Sequence, residues 1–246
     1  MNKRVRSAGW SGAAAVAVAT LMAIMAEAGA AEAARPAAKA APGKEQNATA
    51  KAAAPEAERV LFDGKSMAGW VQSGFEGETT VRLEKSFRGE GGAIVIEAGT
   101  TLNGITWTRG GELPRMNYEI ALETMKLAGG DFFCGLTFPI GREAATLILG
   151  GWGGTLVGVS SIDNNDASEN ETTQGMAVDL ERWYRLRVRV TEEKLEIWLD
   201  AEKIVDFETA GRKFSLRPGD IQKSLPLGIA TFMTKAAVRN IRIRRL

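Results

Sequence analysis

Apolar and polar side chains alternate along the chain from Val60 onward, which is the pattern of half-buried β-strands. In Tyr184–Val190 the apolar residues are separated by arginines, and 195–199 repeats the alternation. Further strands are predicted at 92–97, 103–108, 118–123, 132–138, 146–149, 155–159, 227–232 and 238–244. No window has a sustained apolar repeat at helical spacing, so we expect an all-β domain, a two-sheet antiparallel jelly-roll sandwich.

Turn residues predict how three pairs of strands are joined. The predicted hairpins join 118–123 to 132–138, 146–149 to 155–159, and 184–190 to 195–199. Their turns are Leu127–Gly130, the glycine-rich Gly150–Gly154, and Thr191–Lys194. Because 132–138 is largely apolar on both faces, we expect it in the centre of a sheet.

The first thirty residues have the layout of a secretory signal peptide. Three basic residues precede an apolar stretch from Ser11 to Met25, and small residues follow, ending at Ala28-Gly29-Ala30. A retained membrane anchor is the alternative, but ~15 apolar residues fall short of the roughly 20 that a spanning helix needs. We therefore expect a signal at 1–30, no membrane span in the mature chain, and export to the periplasm or outside the cell.

A linker is predicted between the signal peptide and the folded domain. Alanine makes up nearly half of residues 31–57, which also hold three prolines and scattered Lys and Glu. Because this composition provides no apolar stripe to bury, we interpret 31–57 as a flexible linker. The folded β-sandwich domain is then 58–246.

The composition excludes several kinds of site. The chain has no histidine, so catalytic triads, zinc sites and general bases that use imidazole are excluded. The formal net charge is +1, and loss of 1–30 changes it to −1, whereas capture of nucleic acid needs a basic face. The single cysteine, Cys134, can form no internal disulfide, and we expect it to be a small buried side chain rather than a nucleophile.

Motifs at both ends of the domain carry a family resemblance. The opening reads Leu-Phe-Asp-Gly-Lys-Ser at 61–66, followed by Gly69-Trp70, and the close reads Val-Arg-Asn-Ile-Arg-Ile at 238–243. Together with the segment from Arg182-Trp183-Tyr184 to Leu199-Asp200, these motifs resemble the 3-keto-disaccharide hydrolase family. The resemblance implies a sandwich like that of concanavalin A, and hydrolysis of 3-keto sugars or another role in carbohydrate handling.

Two functions remain open from the sequence. The resemblance and the available carboxylates predict an exported hydrolase acting on glycosidic bonds, of 3-keto-disaccharides or related glycans. The alternative is a noncatalytic carbohydrate-binding or cell-envelope module, favoured by the linker and the absence of histidine. Phe133-Cys134-Gly135 departs from the Asn-Ser-Gly-type strand of the family, so no catalytic residue is carried over from that stretch.

Glu119 and Glu123 are the candidate catalytic residues. The strand Glu119-Ile120-Ala121-Leu122-Glu123 resembles the Glu-x-Asp-x-Glu motif of glycoside hydrolase family 16, with Ala121 in place of the aspartate. Residues i and i+4 of a strand point to the same side, with Cα atoms ~13 Å apart, whereas a retaining pair needs carboxylates about 5–5.5 Å apart. Solvent-facing glutamates on an amphipathic strand are the alternative.

The polar segment 160–180 holds the candidate binding residues. It lacks apolar periodicity, and such long segments in compact domains are usually functional. Oxygen ligands suit Ca²⁺ or sugar hydroxyls. The substrate-binding candidates here are Asp163, Asn164, Asp166 and Glu169, and the candidate calcium ligands are Asp163 and Asp166. Calcium is the one cofactor that the sequence suggests, and a solvated loop of turn-forming residues is the alternative.

Trp152 is a further candidate for binding the carbohydrate ligand. It lies within the glycine run 150–154, where an indole free of bulky neighbours can stack on a sugar ring. The alternative is a tryptophan folded onto the edge of the sandwich. Trp152 and the acidic segment flank opposite ends of the predicted strand 155–159, so they need not share a site.

A row of arginines projects from one face of a predicted strand. Arg185, Arg187 and Arg189 alternate with apolar residues, and Glu196 and Trp198 lie on the facing strand. Cross-strand ion pairs and stacking of arginine on tryptophan explain the row structurally. Binding of an acidic glycan is the alternative.

Overall fold

The computed structural model describes residues 57–246. The predicted signal peptide at 1–30, and all of the predicted linker except its last residue, lie outside the described residues. The strands are β1 (Arg59–Phe62), β2 (Trp70–Gln72), β3 (Val81–Glu84), β4 (Ala93–Ile96), β5 (Leu102–Trp107), β6 (Tyr118–Gly129), β7 (Cys134–Ile140), β8 (Glu143–Gly150), β9 (Leu156–Ser160), β10 (Gln174–Gly175), β11 (Trp183–Val190), β12 (Lys194–Leu199), β13 (Glu202–Glu208), β14 (Gly228–Phe232) and β15 (Thr234–Arg245).

The strands form two antiparallel sheets. Sheet A has the order β13-β12-β11-β6-β15-β4-β3, with β1 also paired to β15, and sheet B has the order β10-β9-β8-β7-β14-β5-β2. This confirms the predicted all-β sandwich. The helical turns are Phe87–Gly89, Gly110–Glu112, Gly151–Gly154 and Asp220–Ser224. Within 57–246 no helix has both the length and the apolar character that crossing a membrane requires.

The core lies between the inner faces of the two sheets. On β11, Tyr184, Leu186 and Val188 are buried while the arginines between them are not, because side chains alternate across a strand. Strands of sheet B supply the opposite side, for example Leu136 and Leu147. The alternation read from the sequence therefore assigns the inner face of these strands correctly.

Two of the three predicted hairpins are confirmed and one is wrong. β11 pairs with β12, and β8 pairs with β9 around the glycine run. However, β6 belongs to sheet A, whereas β7 pairs with β8 and β14 in sheet B. The segment after Gly129 therefore crosses from one sheet to the other. The turn residues at 127–130 are compatible both with a hairpin within one sheet and with a connection between the two sheets.

β13 was not among the predicted strands. Ile204 and Val205 are both buried, so the strict alternation of apolar and polar residues is interrupted. The irregularity matches a break in register on the neighbouring strand between Ile197 and Trp198. Such bulges place one extra residue on a strand and shift which side chains face inward.

The outer face of sheet B is covered by other segments of the chain. Small residues on β9 and β14 allow these segments to approach closely. A Cβ at Gly158 would lie 2.3 Å from the carbonyl oxygen of Ala167, in the loop that follows β9. A Cβ at Gly228 would lie 2.7 Å from the carbonyl oxygen of Ser224, in a 3₁₀ turn. Both faces of the central strand β7 are therefore buried.

Replacing Gly158 with alanine is expected to destabilise the domain by about 1–3 kcal/mol, because the added methyl group must displace the loop backbone. Urea or thermal unfolding of the variant measures this. The matched control is Gly175→Ala, where a Cβ meets nothing within 4 Å. Unchanged stability of Gly158→Ala would show that the loop does not rest on β9 as described.

Candidate functional site

A pocket remains open on the outer face of sheet B between the covering segments. Its volume is about 320 Å³. Thr146 and Ile148 of β8 line it from the sheet, and side chains from the loops and strand ends complete it. The other lining residues are Leu102, Phe132, Trp152, Asp166, Arg217, Pro218, Asp220, Ile221 and Phe232. The pocket thus combines aromatic and charged side chains.

Aromatic side chains form one part of the pocket wall. The rings of Phe132 and Phe232 are stacked, with centroids 5.9 Å apart and an interplanar angle of 27°. Trp152 also lines the pocket and is 41% exposed, which is unusual for a large apolar side chain. The pocket therefore offers an accessible aromatic surface to a ligand.

The backbone of the glycine-rich turn places Trp152 at this edge. Trp152 has a φ of 48°, in the left-handed region, and Gly150 and Gly153 have φ of 74° and 79°. The backbone N–H of Gly153 donates a 3.1 Å hydrogen bond to Asp131 Oδ2, which fixes the turn to the segment before β7. Glycine is favoured in this conformation because it has no Cβ. Trp152 is therefore held in an exposed position at the pocket edge, and its role as a stacking platform stays a prediction.

Asp166 and Arg217 form an ion pair at the pocket. Arg217 Nη1 lies 2.9 Å from Asp166 Oδ2, and the arginine side chain is 65% exposed. Asp166 Oδ1 accepts hydrogen bonds of 2.7 Å from Ser160 Oγ and from the backbone N–H of Ala167. These contacts hold the carboxylate in place, while the guanidinium keeps donors free for a ligand.

Asp220 adds a second fixed carboxylate. It accepts a 2.7 Å hydrogen bond from the backbone N–H of Glu76 and lies 3.1 Å from Lys223 Nζ. The backbone hydrogen bond, followed by the one from Lys223, lowers the pKa of Asp220 below its usual range. Asp220 is therefore an acceptor at neutral pH and not a proton donor.

The remaining candidates of the polar segment lie elsewhere. Asp163 accepts hydrogen bonds from Arg212 and from the backbone N–H of Lys213, at 2.5 and 2.8 Å. Asn164 is exposed beside it, with a φ of 67°. Glu169 is also exposed, and its backbone N–H donates to the carbonyl oxygen of Asp166. The structure thus brings Trp152 and Asp166 into one pocket, although the strand between them separates them in sequence.

Both proposed calcium ligands have cationic partners. Asp163 is paired with Arg212 and Asp166 with Arg217. The hydrogen bond from the backbone N–H of Lys213, and then the one from Arg212, lower the pKa of Asp163. Within the described part of the chain, no group of three His, Cys, Asp or Glu side chains is arranged to hold a metal ion. The calcium hypothesis stays a prediction.

Sequence reasoning missed several residues of the pocket. Arg217 and Asp220 lie in the segment between β13 and β14, which has few apolar residues and contains the turn dipeptide Pro218-Gly219. A long segment without apolar periodicity was the criterion that singled out 160–180, and the same criterion applies to the segment between β13 and β14. No such signal exists for Phe132 and Phe232, because their apolar character fits the core equally well.

Glu119 is buried on the outer face of sheet A, on the opposite side of the sandwich from the pocket. Its side chain is 8% exposed. Oε2 accepts two hydrogen bonds from Arg189 at 3.1 and 3.2 Å, and Oε1 accepts two from Arg244 at 2.9 and 3.1 Å. Both oxygens are therefore occupied by guanidinium groups.

Glu123 has a similar environment on the same face. Oε2 accepts a 2.8 Å hydrogen bond from Arg239 Nε and Oε1 a 3.0 Å bond from Asn240. Burial alone would raise the pKa of Glu123, but the hydrogen bonds from Arg239 and Asn240 outweigh it and lower the pKa. A general acid needs a raised pKa. The assignment of Glu119 and Glu123 as a catalytic pair stays a prediction.

Cys134 is fully buried in the core. Burial raises the pKa of its thiol to about 12. The thiolate is the nucleophilic form of cysteine. The side chain therefore acts as a small apolar core residue at neutral pH.

The family model of the 3-keto-alpha-glucoside-1,2-lyase-like domain matches residues 57–244. The chain belongs to this family. The match covers the whole described domain apart from its last two residues and agrees with the resemblance read from the motifs. The lyase-like domain is thus a member of a carbohydrate-active family. No curated protein sequence matches the chain significantly.

Solved structures of carbohydrate-related proteins are similar to the lyase-like domain at low identity. Domain 4 of AbnA, an extracellular GH43 arabinanase from Geobacillus stearothermophilus, is 12% identical with a TM-score of 0.49, covering 77% of this chain and 94% of that one. The carbohydrate-binding module CBM66 from Bacillus subtilis is 13% identical with a TM-score of 0.45, covering 70% and 93%. Identities this low carry no information about a ligand of this chain.

The opening motif of the lyase-like domain has a structural role. Trp70 Nε1 donates a 3.0 Å hydrogen bond to the carbonyl oxygen of Leu61, and its ring packs edge-on against Trp107 at 5.2 Å. Gly69 has a φ of 89°, and a Cβ there would lie 2.5 Å from the ring of Trp107. The motif therefore joins β1 of sheet A to β2 and β5 of sheet B.

Glu123→Gln is expected to lower the free energy of unfolding by about 1–3 kcal/mol at pH 7, because charge-assisted hydrogen bonds are lost. Since the folded-state pKa of Glu123 is lowered, its contribution is present above the usual value of 4.5 and is lost as the pH falls through the folded pKa. The difference between wild type and variant, measured by urea unfolding from pH 7 to pH 2, should therefore shrink below about pH 4.5.

The matched control is Glu143→Gln, since Glu143 is exposed and lies outside this face. If Glu123→Gln lowers the free energy of unfolding by the same amount at pH 2 and pH 7, Glu123 is not stabilising through its ionised form.

Proposed function

We propose that the lyase-like domain binds a carbohydrate in the pocket on the outer face of sheet B. The observation that carries this proposal is the exposed Trp152 in one pocket with the ion pair of Asp166 and Arg217. An indole stacks on the apolar face of a sugar ring, while fixed polar groups orient the hydroxyls. Asp220 adds an acceptor, so donors and acceptors are both available.

The size of the pocket favours a short ligand. Its volume of about 320 Å³ is at the lower end of the range of roughly 300–1,000 Å³ for small-molecule sites. The covering segments also bound the pocket on the face of the sheet. A monosaccharide or disaccharide unit is therefore the proposed occupant, not a long stretch of polymer.

A catalytic function is the second candidate, and the family description favours it. That description names a lyase acting on 3-keto-α-glucosides. A carbonyl at C3 makes the proton on C2 acidic, so a carboxylate can remove it. The electron pair forms an enolate, which then expels the oxygen on C1 and leaves a C1–C2 double bond. The leaving oxygen takes a proton from water, and later addition of water gives net hydrolysis.

The ion pair at the pocket contains the two groups that this reaction needs. Asp166 would accept the C2 proton, and the exposed guanidinium of Arg217 would stabilise the enolate oxygen. No histidine is required for either role.

Export of the protein is part of the proposal and is supported by the signal peptide pattern at 1–30.

Trp152→Ala is expected to weaken sugar binding by about tenfold, because the stacking surface is lost. Trp152→Phe should keep most of the affinity, and Leu180→Ala, an exposed apolar residue outside the pocket, should keep all of it. The measurement is calorimetric titration with a 3-keto-α-glucoside disaccharide and with its parent disaccharide. Unchanged affinity of Trp152→Ala for both would refute the pocket as the binding site.

Asp166→Asn is expected to lower turnover of a 3-keto-α-glucoside by at least about 10²-fold. Release of the leaving sugar, followed by chromatography, measures this. If the wild-type protein binds the keto sugar without cleaving it, the domain is a noncatalytic module. If Glu119→Gln or Glu123→Gln abolishes cleavage and Asp166→Asn does not, the chemistry lies on sheet A.

A further inference from the structure

Three adjacent strands on the outer face of sheet A place arginines on both sides of β6. In the register of β11, β6 and β15, Arg189, Glu119 and Arg244 lie side by side. Two more such triplets follow along the strands. They are Arg187, Ala121 and Arg242 in the middle, and Arg185, Glu123 and Arg239 at the end. We call these three triplets, each an arginine on either side of a β6 residue, the arginine ladder.

In each of the outer two triplets a glutamate of β6 binds at least one of the flanking arginines. Glu119 accepts a pair of hydrogen bonds from each of its two arginines, and Glu123 accepts from Arg239 and Asn240. These side chains are 8% and 21% exposed. In both triplets a carboxylate from β6 occupies the space between the flanking strands.

The middle triplet also has an arginine on each side, but no carboxylate lies between them on β6. Ala121 offers only a methyl group to Arg187 and Arg242. Arg187 stacks on Trp198 at 3.9 Å and forms a long ion pair with Glu119, with Nη1 3.6 Å from Oε2. Arg242 pairs at 3.1 Å with Glu58, and both side chains are more than 40% exposed. Such an exposed pair contributes little and is readily displaced.

An open pocket of about 290 Å³ lies at this position. Arg185, Arg187 and Arg242 line it together with Asn240. Among residues 57–246, no carboxylate lies within 4 Å of the Arg185 guanidinium. The carboxylates of Glu58, Glu123 and Asp200 also line the pocket and provide acceptors beside the cationic donors.

We propose that the middle triplet binds the carboxylate of a single uronic acid in an otherwise neutral glycan. The Glu119 triplet shows that a carboxylate fits between the paired arginines of this face, and guanidinium groups bind carboxylates with matched geometry. The acceptors around the pocket suit the hydroxyl groups of a sugar. This site is distinct from the pocket on sheet B and does not depend on the function proposed there.

The flanking glutamates determine which anions are suitable. Glu119 and Glu123 each lie two residues from Ala121 along β6, roughly 6.6 Å away. A ligand with closely spaced charges along the strand would be repelled by both, as would the phosphates of a nucleic acid. An isolated uronate between neutral sugars avoids this repulsion.

The test compares two probes that differ only in the carboxyl group, using the full chain. One is a xylo-oligosaccharide bearing one glucuronic acid, and the other is its carboxyl-reduced form. We expect the wild-type protein to bind the acid at least about tenfold more tightly, equivalent to about 1.4 kcal/mol, and the preference to fall with added salt. Equal affinity for the two probes would overturn the proposal, as would tighter binding of a single-stranded DNA oligonucleotide.

Ala121→Glu supplies the missing carboxylate and is the most direct variant. It should abolish the preference for the acid, a loss of about tenfold or more, and raise the melting temperature, because the new carboxylate can pair with Arg187 and Arg242 of the middle triplet. Retention of the full preference would overturn the proposal. Arg242→Gln should also reduce the preference for the acid by about tenfold. This variant tests the proposal even if Ala121→Glu does not fold. Arg142→Gln, an exposed arginine outside the ladder, is the matched control and should bind like wild type.

Discussion

The close approach of the loop after β9 to sheet B is the contact on which the pocket depends. A side chain at Gly158 would collide with the backbone of Ala167, so the loop can lie flat on the strand only because glycine is there. That contact puts Asp166 over the sheet, within hydrogen-bonding distance of Ser160 at the end of β9. The carboxylate, its partner Arg217 and the aromatic wall then surround one cavity.

The two outer faces of the sandwich are stabilised in different ways. On sheet B, small residues are covered by loops, which leaves a bounded pocket with an aromatic wall. On sheet A, within residues 57–246, arginines of β11 and β15 lie beside Glu119 and Glu123 of β6. A bounded aromatic pocket suits a neutral sugar unit, whereas an ionic face discriminates ligands by their charge.

Much of the sandwich could be predicted from the sequence, because alternation is a local property of a strand. The β11–β12 hairpin follows from one regular pattern and one short turn. The assignment of β6 and β7 to different sheets does not follow from a local pattern, because it depends on the strands, distant in sequence, with which each of them pairs. For the same reason the sequence could suggest Trp152 and Asp166 separately but not their meeting in one pocket, which requires the loop to fold back across β9 and β8.

The Glu-x-Ala-x-Glu strand shows how a motif and its environment can point to different chemistry. In sequence, Glu119 and Glu123 resemble a catalytic pair that lacks its central aspartate. In the fold, arginines from both neighbouring strands bind Glu119, whereas Arg239 and Asn240 of β15 bind Glu123 and lower its pKa. The residue that decides the character of this face is therefore Ala121. A carboxylate there would lie between Arg187 and Arg242, whereas with alanine at this position Arg187 stacks on Trp198 and Arg242 pairs with the exposed Glu58.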